Sequence, residues 1–181
     1  MAAWAGPQPP SNSAEPESSS SALEPATVLL AILATPPETS GERTLKRLEM
    51  ARQLLGFSEV RVVNVLDVAT FRTNGMSTAG QDPEPWLRSR PAISAGINDC
   101  DGIVLGYGVG EPTGAARIHY REQLAWLWNR LDVSTAPIWS VELPPRHPSR
   151  WHRLTYKIAP DTPFQDALVA VLLRVEPPVE G

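Results

Sequence analysis

The chain is poor in cysteine and in long apolar runs, and each shortage excludes a class of protein. Cys100 is the single cysteine among 181 residues, which excludes an intrachain disulfide and a secreted scaffold held by disulfides. No stretch approaches the roughly 20 apolar residues that span a bilayer, and the N-terminus lacks the basic and apolar regions of a signal peptide. These absences predict a soluble cytoplasmic protein with no membrane partner.

The first 25 residues lack basic side chains altogether. They hold five of the 19 prolines, six serines and three glutamates. Such a composition cannot bury enough apolar surface to offset the entropy lost on ordering. We therefore predict a disordered Pro/Ser-rich tail over residues 1–25, a single domain over residues 26–176, and a disordered end over residues 177–181.

The chain beyond the predicted tail has almost no net charge. The formal net charge is -4, with 20 acidic and 16 basic residues, and the tail accounts for three of the acids. The remaining 17 acidic and 16 basic residues nearly cancel. A positive field of the whole protein that would steer it onto nucleic acid is therefore absent, and any such contact would depend on a local basic patch.

Four apolar stretches, bounded by turn residues, predict buried strands. They cover residues 26–34, 60–68, 102–107 and 137–143. The intervening segments have helical character, so the alternation predicts an α/β fold: a three-layer sandwich in which helices flank a mostly parallel four-stranded sheet. Ligands of such sheets usually bind at the carboxyl ends of the strands.

Capping signals and prolines set the predicted helix limits. Thr39 with Glu42 forms a capping box that opens a helix ending at Gly56, and residues 114–131 have the length and apolar spacing of a second helix. Thr162 with Gln165 forms another box, with Pro163 at the first position of a last helix that runs through Val175. Pro91 predicts a break or restart in a further helical stretch, where Ile93 and Ile97 face inward.

Polar and glycine residues follow the first three predicted strands. Thr35 follows the first strand, Asn64 and Arg72 lie at or after the end of the second, and Gly106 and Gly108 end the third. The last segment is glycine-rich, yet Glu111 stands where the dinucleotide fingerprint needs glycine, and the Lys-Ser/Thr pair of a Walker loop is missing. We expect these residues to contact a ligand without either phosphate motif.

The segment after the fourth strand is basic and aromatic. Four basic residues and no acidic residue lie between Leu143 and Pro160, with Trp151 and Tyr156 interleaved, a combination that suits phosphates and stacked bases. Arg146, Ser149 and Trp151 are accordingly predicted ligand contacts. His147 is the best candidate for acid-base or electrophilic work, because imidazole donates or accepts a proton near neutral pH.

Metal and nucleophile chemistry find little support in the sequence. His147 and His152 have no nearby cysteine or carboxylate set at ligand spacing, so we predict no metal and no cofactor. Cys100 directly precedes a buried strand, where cysteine behaves as a small apolar residue. No G-x-S-x-G elbow is present.

Residues 26–160 resemble domain-of-unknown-function family 1643, a family of small bacterial and phage proteins. The matching segments are 33–38 (L-A-T-P-P-E), 62–66 (V-V-N-V-L), 106–108 (G-Y-G) and 145–149 (P-R-H-P-S). That family is similar in motif placement to the uracil-DNA glycosylase superfamily, which has an N-P motif after its first strand and an H-P-S motif after its last.

The resemblance implies a uracil-DNA-glycosylase-like fold with a pocket at the strand ends. His147 matches the histidine that stabilises the departing base anion, and Asn64 matches the V-V-N position, so both are predicted catalytic residues. Thr35 stands where the family has asparagine, and a hydroxyl cannot replace a carboxylate or an amide's paired donor and acceptor. The resemblance therefore implies a nucleotide-binding or nucleic-acid-binding pocket, with base excision by a glycosylase-like hydrolase weakened at the first motif.

Two other functions remain open. Six tryptophans exceed what the core requires, which is typical of a non-catalytic protein-interaction module or a homo-oligomer; Trp126 and Trp128, two apart on a helix, predict one outward-facing ring. The chain is also compatible with a small-molecule nucleoside or nucleotide hydrolase, although the acidic and metal-binding cluster of such enzymes is missing.

Overall fold

A computed structural model describes residues 26–71 and 75–177. The predicted tail over residues 1–25, residues 178–181 of the predicted disordered end, and the predicted ligand contact Arg72 all lie outside the described residues. Among the described helices, none combines the length and apolar character needed to cross a membrane.

A five-stranded sheet forms the centre of the fold, with strand order β2-β1-β3-β4-β5. The first four strands in this order pair in parallel, and β5 pairs with β4 in the antiparallel sense. The strands are β1 (Val28–Leu33), β2 (Glu59–Asn64), β3 (Gly102–Gly106), β4 (Ile138–Val141) and β5 (Leu172–Val175). The predicted α/β class and mostly parallel sheet are confirmed, whereas the predicted number of four strands is wrong.

Helices cover both faces of the sheet. They are α1 (Glu42–Leu55), α2 (Met76–Ala79), α3 (Glu84–Asn98), α4 (Ala116–Asp132), α5 (Trp151–Ile158) and α6 (Phe164–Val171). A 3₁₀ turn (Pro148–Arg150) precedes α5. One core lies between the sheet and α1, α5 and α6, and the other lies between the sheet and α2, α3 and α4.

Strand β1 lies at the centre and contributes to both cores. Leu29, Ala31 and Leu33 pack toward α1, whereas Leu30 and Ile32 pack toward the opposite helices. All six residues of the strand are buried. A strand covered on both faces reads as a continuous apolar run, which is why its position was predictable from the sequence.

The fifth strand replaces the end of the predicted last helix. Helix α6 ends at Val171 and the chain passes directly into β5, whose Val175 pairs with Ile138. A short apolar run does not distinguish a helix from a strand by periodicity alone. The edge of β4 resolves the ambiguity, because pairing with β5 satisfies backbone groups that an edge strand would leave open.

Neither predicted capping box forms. The N-cap of α1 is Gly41, in a left-handed conformation at φ 63°, so Glu42 is the first helical residue rather than the third, and Thr39 lies outside the helix. Helix α6 likewise begins after Pro163, with no hydrogen bond from a capping side chain. Glycine tolerates this backbone conformation because it carries no β-carbon.

Pro91 does not break α3, which continues from Glu84 to Asn98. The missing N–H of Pro91 deprives the Leu87 carbonyl of its usual helical donor. Both residues are exposed, so that carbonyl can bond water at little cost. Ile93 and Ile97 are buried on the opposite side, as predicted.

Candidate functional site

The turn that contains His147 packs against the end of β3. A β-carbon on Gly106 would lie 2.9 Å from Cδ of Pro148 and 3.0 Å from Cδ2 of Leu33. A β-carbon on Gly108 would lie 3.9 Å from Cβ of His147. Three of the predicted site residues, Gly106, Gly108 and His147, therefore come together at the carboxyl edge of the sheet, and glycine at 106 is what allows Pro148 to pack there.

His147 caps the 3₁₀ turn with its own side chain. Its Nδ1 atom accepts the backbone N–H of Ser149 at 3.2 Å, and the hydroxyl of Ser149 lies 2.9 Å from the same atom. A nitrogen that accepts an N–H bond carries no proton, so the neutral ring holds its proton on Nε2. The predicted contact Ser149 thus fixes the tautomer of His147.

The electrostatic surroundings keep His147 uncharged. Burial lowers the pKa of its imidazole to about 4, and the positive charges of Arg150 and Arg47 contribute to the same shift. At neutral pH the ring is a hydrogen-bond donor through Nε2 rather than a cation. This protonation state suits contact with an acceptor atom of a ligand and makes the ring a weak general acid.

Arg47 belongs to this site, although the sequence analysis did not identify it. Its Nη1 atom donates to the carbonyl oxygen of Pro148 at 2.8 Å, and its guanidinium carbon lies 5.4 Å from the ring centroid of Phe164. Burial and the charge of Arg43 lower the pKa of Arg47. Arg43 and Arg47 lie one helical turn apart near the start of α1, and this spacing alone does not distinguish them from other exposed charges of a helix.

Arginines from two separate segments lie close enough to His147 or His152 to act on the charge of these rings. We call this set the basic cluster; its members are Arg43 and Arg47 of α1, Arg150 of the 3₁₀ turn and Arg153 of α5. Burial and then three of these charges, those of Arg47, Arg153 and Arg43, lower the pKa of His152. Across residues 26–71 and 75–177, none of the four arginines of the basic cluster forms a salt bridge with a carboxylate.

Arg146 and Trp151 take part in packing at this turn. The guanidinium of Arg146 pairs with the carboxylate of Glu142, so its charge is compensated. Trp151 has no exposed surface, and its indole N–H donates to the carbonyl oxygen of Arg146 at 2.8 Å. Trp151 therefore stabilises the turn from the core side, and its buried ring offers no face for the base stacking that we predicted.

Asn64 ends β2 on the same face of the sheet as Gly106. Both residues pair in register with Leu33 of the central strand, so two inter-strand spacings, about 10 Å in total, separate their backbones. The Oδ1 atom of Asn64 is buried and has no hydrogen-bond partner among the described residues. A buried acceptor without a partner is costly, which marks Asn64 as a candidate ligand contact.

Thr35 ties two loops together. Its hydroxyl lies 2.8 Å from the hydroxyl of Thr70, and the backbone N–H of Thr70 donates to the carbonyl oxygen of Pro36 at 3.1 Å. Thr70 is buried. The hydroxyl of Thr35 is thus engaged in joining the loops that follow β1 and β2.

Among the cavities of the described residues, one lies at the carboxyl ends of the strands and another at their amino ends. A cavity of about 490 Å³ lies between the loops that follow β1 and β2, and one of about 240 Å³ lies near Cys100 at the opposite edge. Neither is lined by His147 or Asn64. Burial raises the pKa of the Cys100 thiol to about 11, so this cysteine remains an unreactive thiol at neutral pH.

The tryptophans of the described part are buried or half-buried. Trp126 and Trp128 both pack against the core, and the guanidinium carbon of Arg90 lies 4.9 Å from the centroid of the Trp126 ring. The prediction that one of these two rings faces outward is wrong, because both rings are partly buried against the core and Arg90 lies over the ring of Trp126. This arrangement removes the exposed tryptophans on which the protein-interaction hypothesis depended.

Within residues 26–71 and 75–177, no group of three or more His, Cys, Asp or Glu side chains is placed to hold a metal ion. Comparison of the chain with protein-family models, curated proteins and solved structures gives no match. The resemblance to family 1643 and to the uracil-DNA glycosylases therefore stays a prediction.

Proposed function

We propose that the protein binds the phosphates of a nucleotide or nucleic acid at the carboxyl edge of its sheet, through the basic cluster. The observation that carries this proposal is the absence of carboxylate partners for these four arginines in the described part of the chain. Seven other arginines form salt bridges: Arg52, Arg61, Arg88, Arg117, Arg121, Arg146 and Arg174. Uncompensated charges of one sign repel each other, and a polyanion relieves that repulsion.

The polar groups beside the basic cluster suit such a ligand. Nε2–H of the neutral His147 is a donor for a phosphate or base oxygen, and Oδ1 of Asn64 is an acceptor that has no partner among the described residues. Arginine forks match phosphate oxygens in pairs. Together they provide donors, an acceptor and compensating charge on one face of the sheet.

Binding without base excision is the form of the function that the residues favour. Excision needs a group that handles water or the developing sugar cation, and the aligned residue Thr35 is a hydroxyl engaged with Thr70. The basic cluster itself needs no such group to hold phosphates. A glycosylase-like hydrolase is thus the weaker alternative, to be checked by abasic-site formation on uracil-containing single-stranded DNA.

A pair of charge-matched variants tests the proposal by fluorescence anisotropy of a labelled single-stranded oligonucleotide. The variant Arg150→Gln/Arg153→Gln removes two charges of the basic cluster. Arg61→Gln/Arg174→Gln removes two exposed charges on the outer strands of the sheet. If both cluster arginines contact phosphates, the salt slope of the first variant falls by roughly 1.4 and its affinity drops about tenfold or more.

The control variant is expected to retain the affinity and slope of the wild type. Equal losses in both variants would mean that net charge, and not the basic cluster, determines binding. Wild-type protein that shows no salt-dependent affinity for the oligonucleotide would overturn the proposed function altogether.

A further inference from the structure

Helix α5 presents a basic and aromatic side to solvent. Trp151 and Thr155 are its buried residues. Four exposed residues lie on the opposite side of the helix, at spacings of about one helical turn. We call them the α5 face: His152, Arg153, Tyr156 and Lys157. The α5 face therefore extends the basic cluster, to which Arg153 belongs, and adds a second cation and an aromatic ring.

The contacts of Tyr156 reveal no role for its ring in the fold. The residue is 70% exposed, whereas the other two tyrosines, Tyr107 and Tyr120, are buried. Among the described residues, no hydrogen bond or ring contact involves the side chain of Tyr156. A lone exposed apolar side chain is common on protein surfaces, so the neighbours of this ring decide whether it has a role.

Positive charge lies beside the ring. Residues three or four apart on a helix have β-carbons about 5–6 Å apart, so Tyr156 neighbours Arg153 and His152 of the preceding turn. Helical side chains lean toward the N-terminus of their helix, which brings the ring toward Arg153. Within the described part of the chain, neither Arg153 nor Lys157 forms a salt bridge.

The arginines of α1 lie near the same face. Nη1 of Arg47 donates to the carbonyl oxygen of Pro148 at 2.8 Å, which joins α1 to the turn that leads into α5. Burial and then the charges of Arg47, Arg153 and Arg43 lower the pKa of His152, one helical turn before Tyr156. The ring of Tyr156 therefore lies at the border of the whole basic cluster, and not only beside the charges of its own helix.

From this placement we infer that the ring of Tyr156 stacks on one base of a single-stranded nucleic acid, whose neighbouring phosphates are held by Arg153 and Lys157. The inference rests on the proposed function and adds to it a base contact and a single-stranded ligand. A single strand alternates phosphates with flat bases that stack on aromatic rings. An acidic peptide would satisfy the cations but not the ring, and the bases of a duplex are stacked on one another.

The test measures the affinity of the full-length protein for oligo-dT, for an abasic strand of the same length and charge, and for a duplex of the same length. We expect the wild type to bind oligo-dT about fivefold or more tightly than the abasic strand. Tyr156→Ala is expected to abolish this difference without changing abasic or duplex binding. Tyr156→Phe is expected to retain it, because stacking uses the ring and not the hydroxyl.

The matched control removes an exposed apolar side chain on the other side of the sheet. Ile118 of α4 is 62% exposed, and Ile118→Ala is expected to bind all three ligands as the wild type does. Tyrosine ring NMR signals give a second readout that needs no variant. Oligo-dT is expected to shift the signals of Tyr156 upfield, the abasic strand to leave them in place, and the buried Tyr107 and Tyr120 to respond to neither.

The outcomes separate the inference from the proposed function. Equal wild-type affinity for oligo-dT and the abasic strand would overturn the inference and leave phosphate binding by the basic cluster standing, whereas binding of neither strand would overturn both. A loss of duplex affinity in Tyr156→Ala would also overturn the inference, because the ring would then contact the backbone. So would a dimer that this variant abolishes, because the α5 face would then be an interface between copies of the chain.

Discussion

Nδ1 of His147 lies 3.2 Å from the backbone nitrogen of Ser149 and accepts its N–H, so the side chain of one residue caps the turn formed by the next three. This bond serves two purposes at once. It gives the 3₁₀ turn an N-cap where the fold needs one, and it leaves Nε2 as the protonated nitrogen. The local structure of the turn therefore determines the protonation of its histidine.

We expect the His147 ring to stay neutral well below the usual histidine range. Its pKa of about 4 follows from burial and from the charges of Arg150 and Arg47. Long-range ¹H–¹⁵N NMR spectra through the titration will show the Nε2–H tautomer at pH 7 and protonation near pH 4. A midpoint near the ordinary value of about 6.5, or a proton on Nδ1, would contradict the capping account.

The same shift predicts a loss of stability in acid. Because the folded-state pKa lies below the unfolded value, the unfolded chain binds more protons at this residue as the pH falls. Above about pH 6.5, His147 is neutral in both the folded and the unfolded chain and its protonation costs no stability. Between about pH 6.5 and pH 4, the free energy of unfolding falls because the unfolded chain alone binds the proton. At its limit the loss is on the order of 3 kcal/mol.

His147→Asn isolates this contribution, because asparagine is also a good N-cap but does not titrate. Urea unfolding between pH 7 and pH 4 is expected to show a shallower decline in the free energy of unfolding for the variant than for the wild type. The exposed His152 is present in both proteins, so the effect of its titration on stability cancels when the two pH profiles are compared. Superimposable pH profiles would show that His147 is not held neutral.

Gly106→Ala is expected to displace the turn that contains His147 and Pro148. The added methyl group would lie 2.9 Å from Cδ of Pro148, so the turn must shift, with a destabilisation of about 1–3 kcal/mol. Gly114→Ala, where no atom lies within 4 Å of the new β-carbon, carries only the strain of φ +64°. We expect ¹⁵N-edited spectra to show changed ring signals of His147 in the first variant alone; similar spectra for both would mean that Pro148 does not depend on this glycine.

Gln123 holds together the helices that support the end of β2. It is fully buried, and its amide nitrogen donates to the carbonyl oxygen of Val65 at 3.2 Å and to the hydroxyl of Ser89 at 2.9 Å. Its Oε1 atom accepts from Nε of Arg90 at 2.9 Å. Gln123→Leu removes these three hydrogen bonds and leaves Nε of Arg90 without its acceptor, while the hydroxyl of Ser89 still donates to the carbonyl oxygen of Val65 at 2.9 Å. The change is expected to lower the free energy of unfolding by about 1–3 kcal/mol.

Ala125→Leu, on the exposed face of the same helix, is the control for Gln123→Leu and is expected to leave stability within about 0.5 kcal/mol of the wild type. Denaturant unfolding followed by circular dichroism measures both changes. Equal stability of the two variants would show that the buried amide contributes nothing beyond its volume.

The sequence was most informative where burial is uniform. The apolar run that forms β1 and the buried pair Ile93 and Ile97 were predictable because a strand or helix face with one environment produces one pattern. The pattern was ambiguous at Leu172, where a helix passes into a strand without a turn residue between them. The boundary between α6 and β5 depends on the edge of β4 that is open for pairing. That edge exists only once the sheet has assembled, so the local sequence does not indicate it.

The site was partly predictable for a related reason. His147, Gly106 and Gly108 follow strand ends, so parallel topology brings them to one edge. Arg47 reaches the same place from a helix whose sequence shows only an exposed charge, and no local pattern records that it bonds the carbonyl oxygen of Pro148. Trp151 presents the opposite case. An aromatic residue in a basic segment predicts a ligand contact, but this side chain is buried in the core, which the segment's own sequence does not indicate.

The central claim is that the basic cluster binds phosphate, and NMR of the arginine Nε–Hε groups tests it most directly. On titration with a single-stranded oligonucleotide at low salt, the account predicts saturable shifts for the signals of Arg47 and Arg150, with Arg61 and Arg174 unmoved. Equal shifts at all four arginines, or shifts confined to Arg61 and Arg174, would contradict the claim that the cluster at His147 is the binding site.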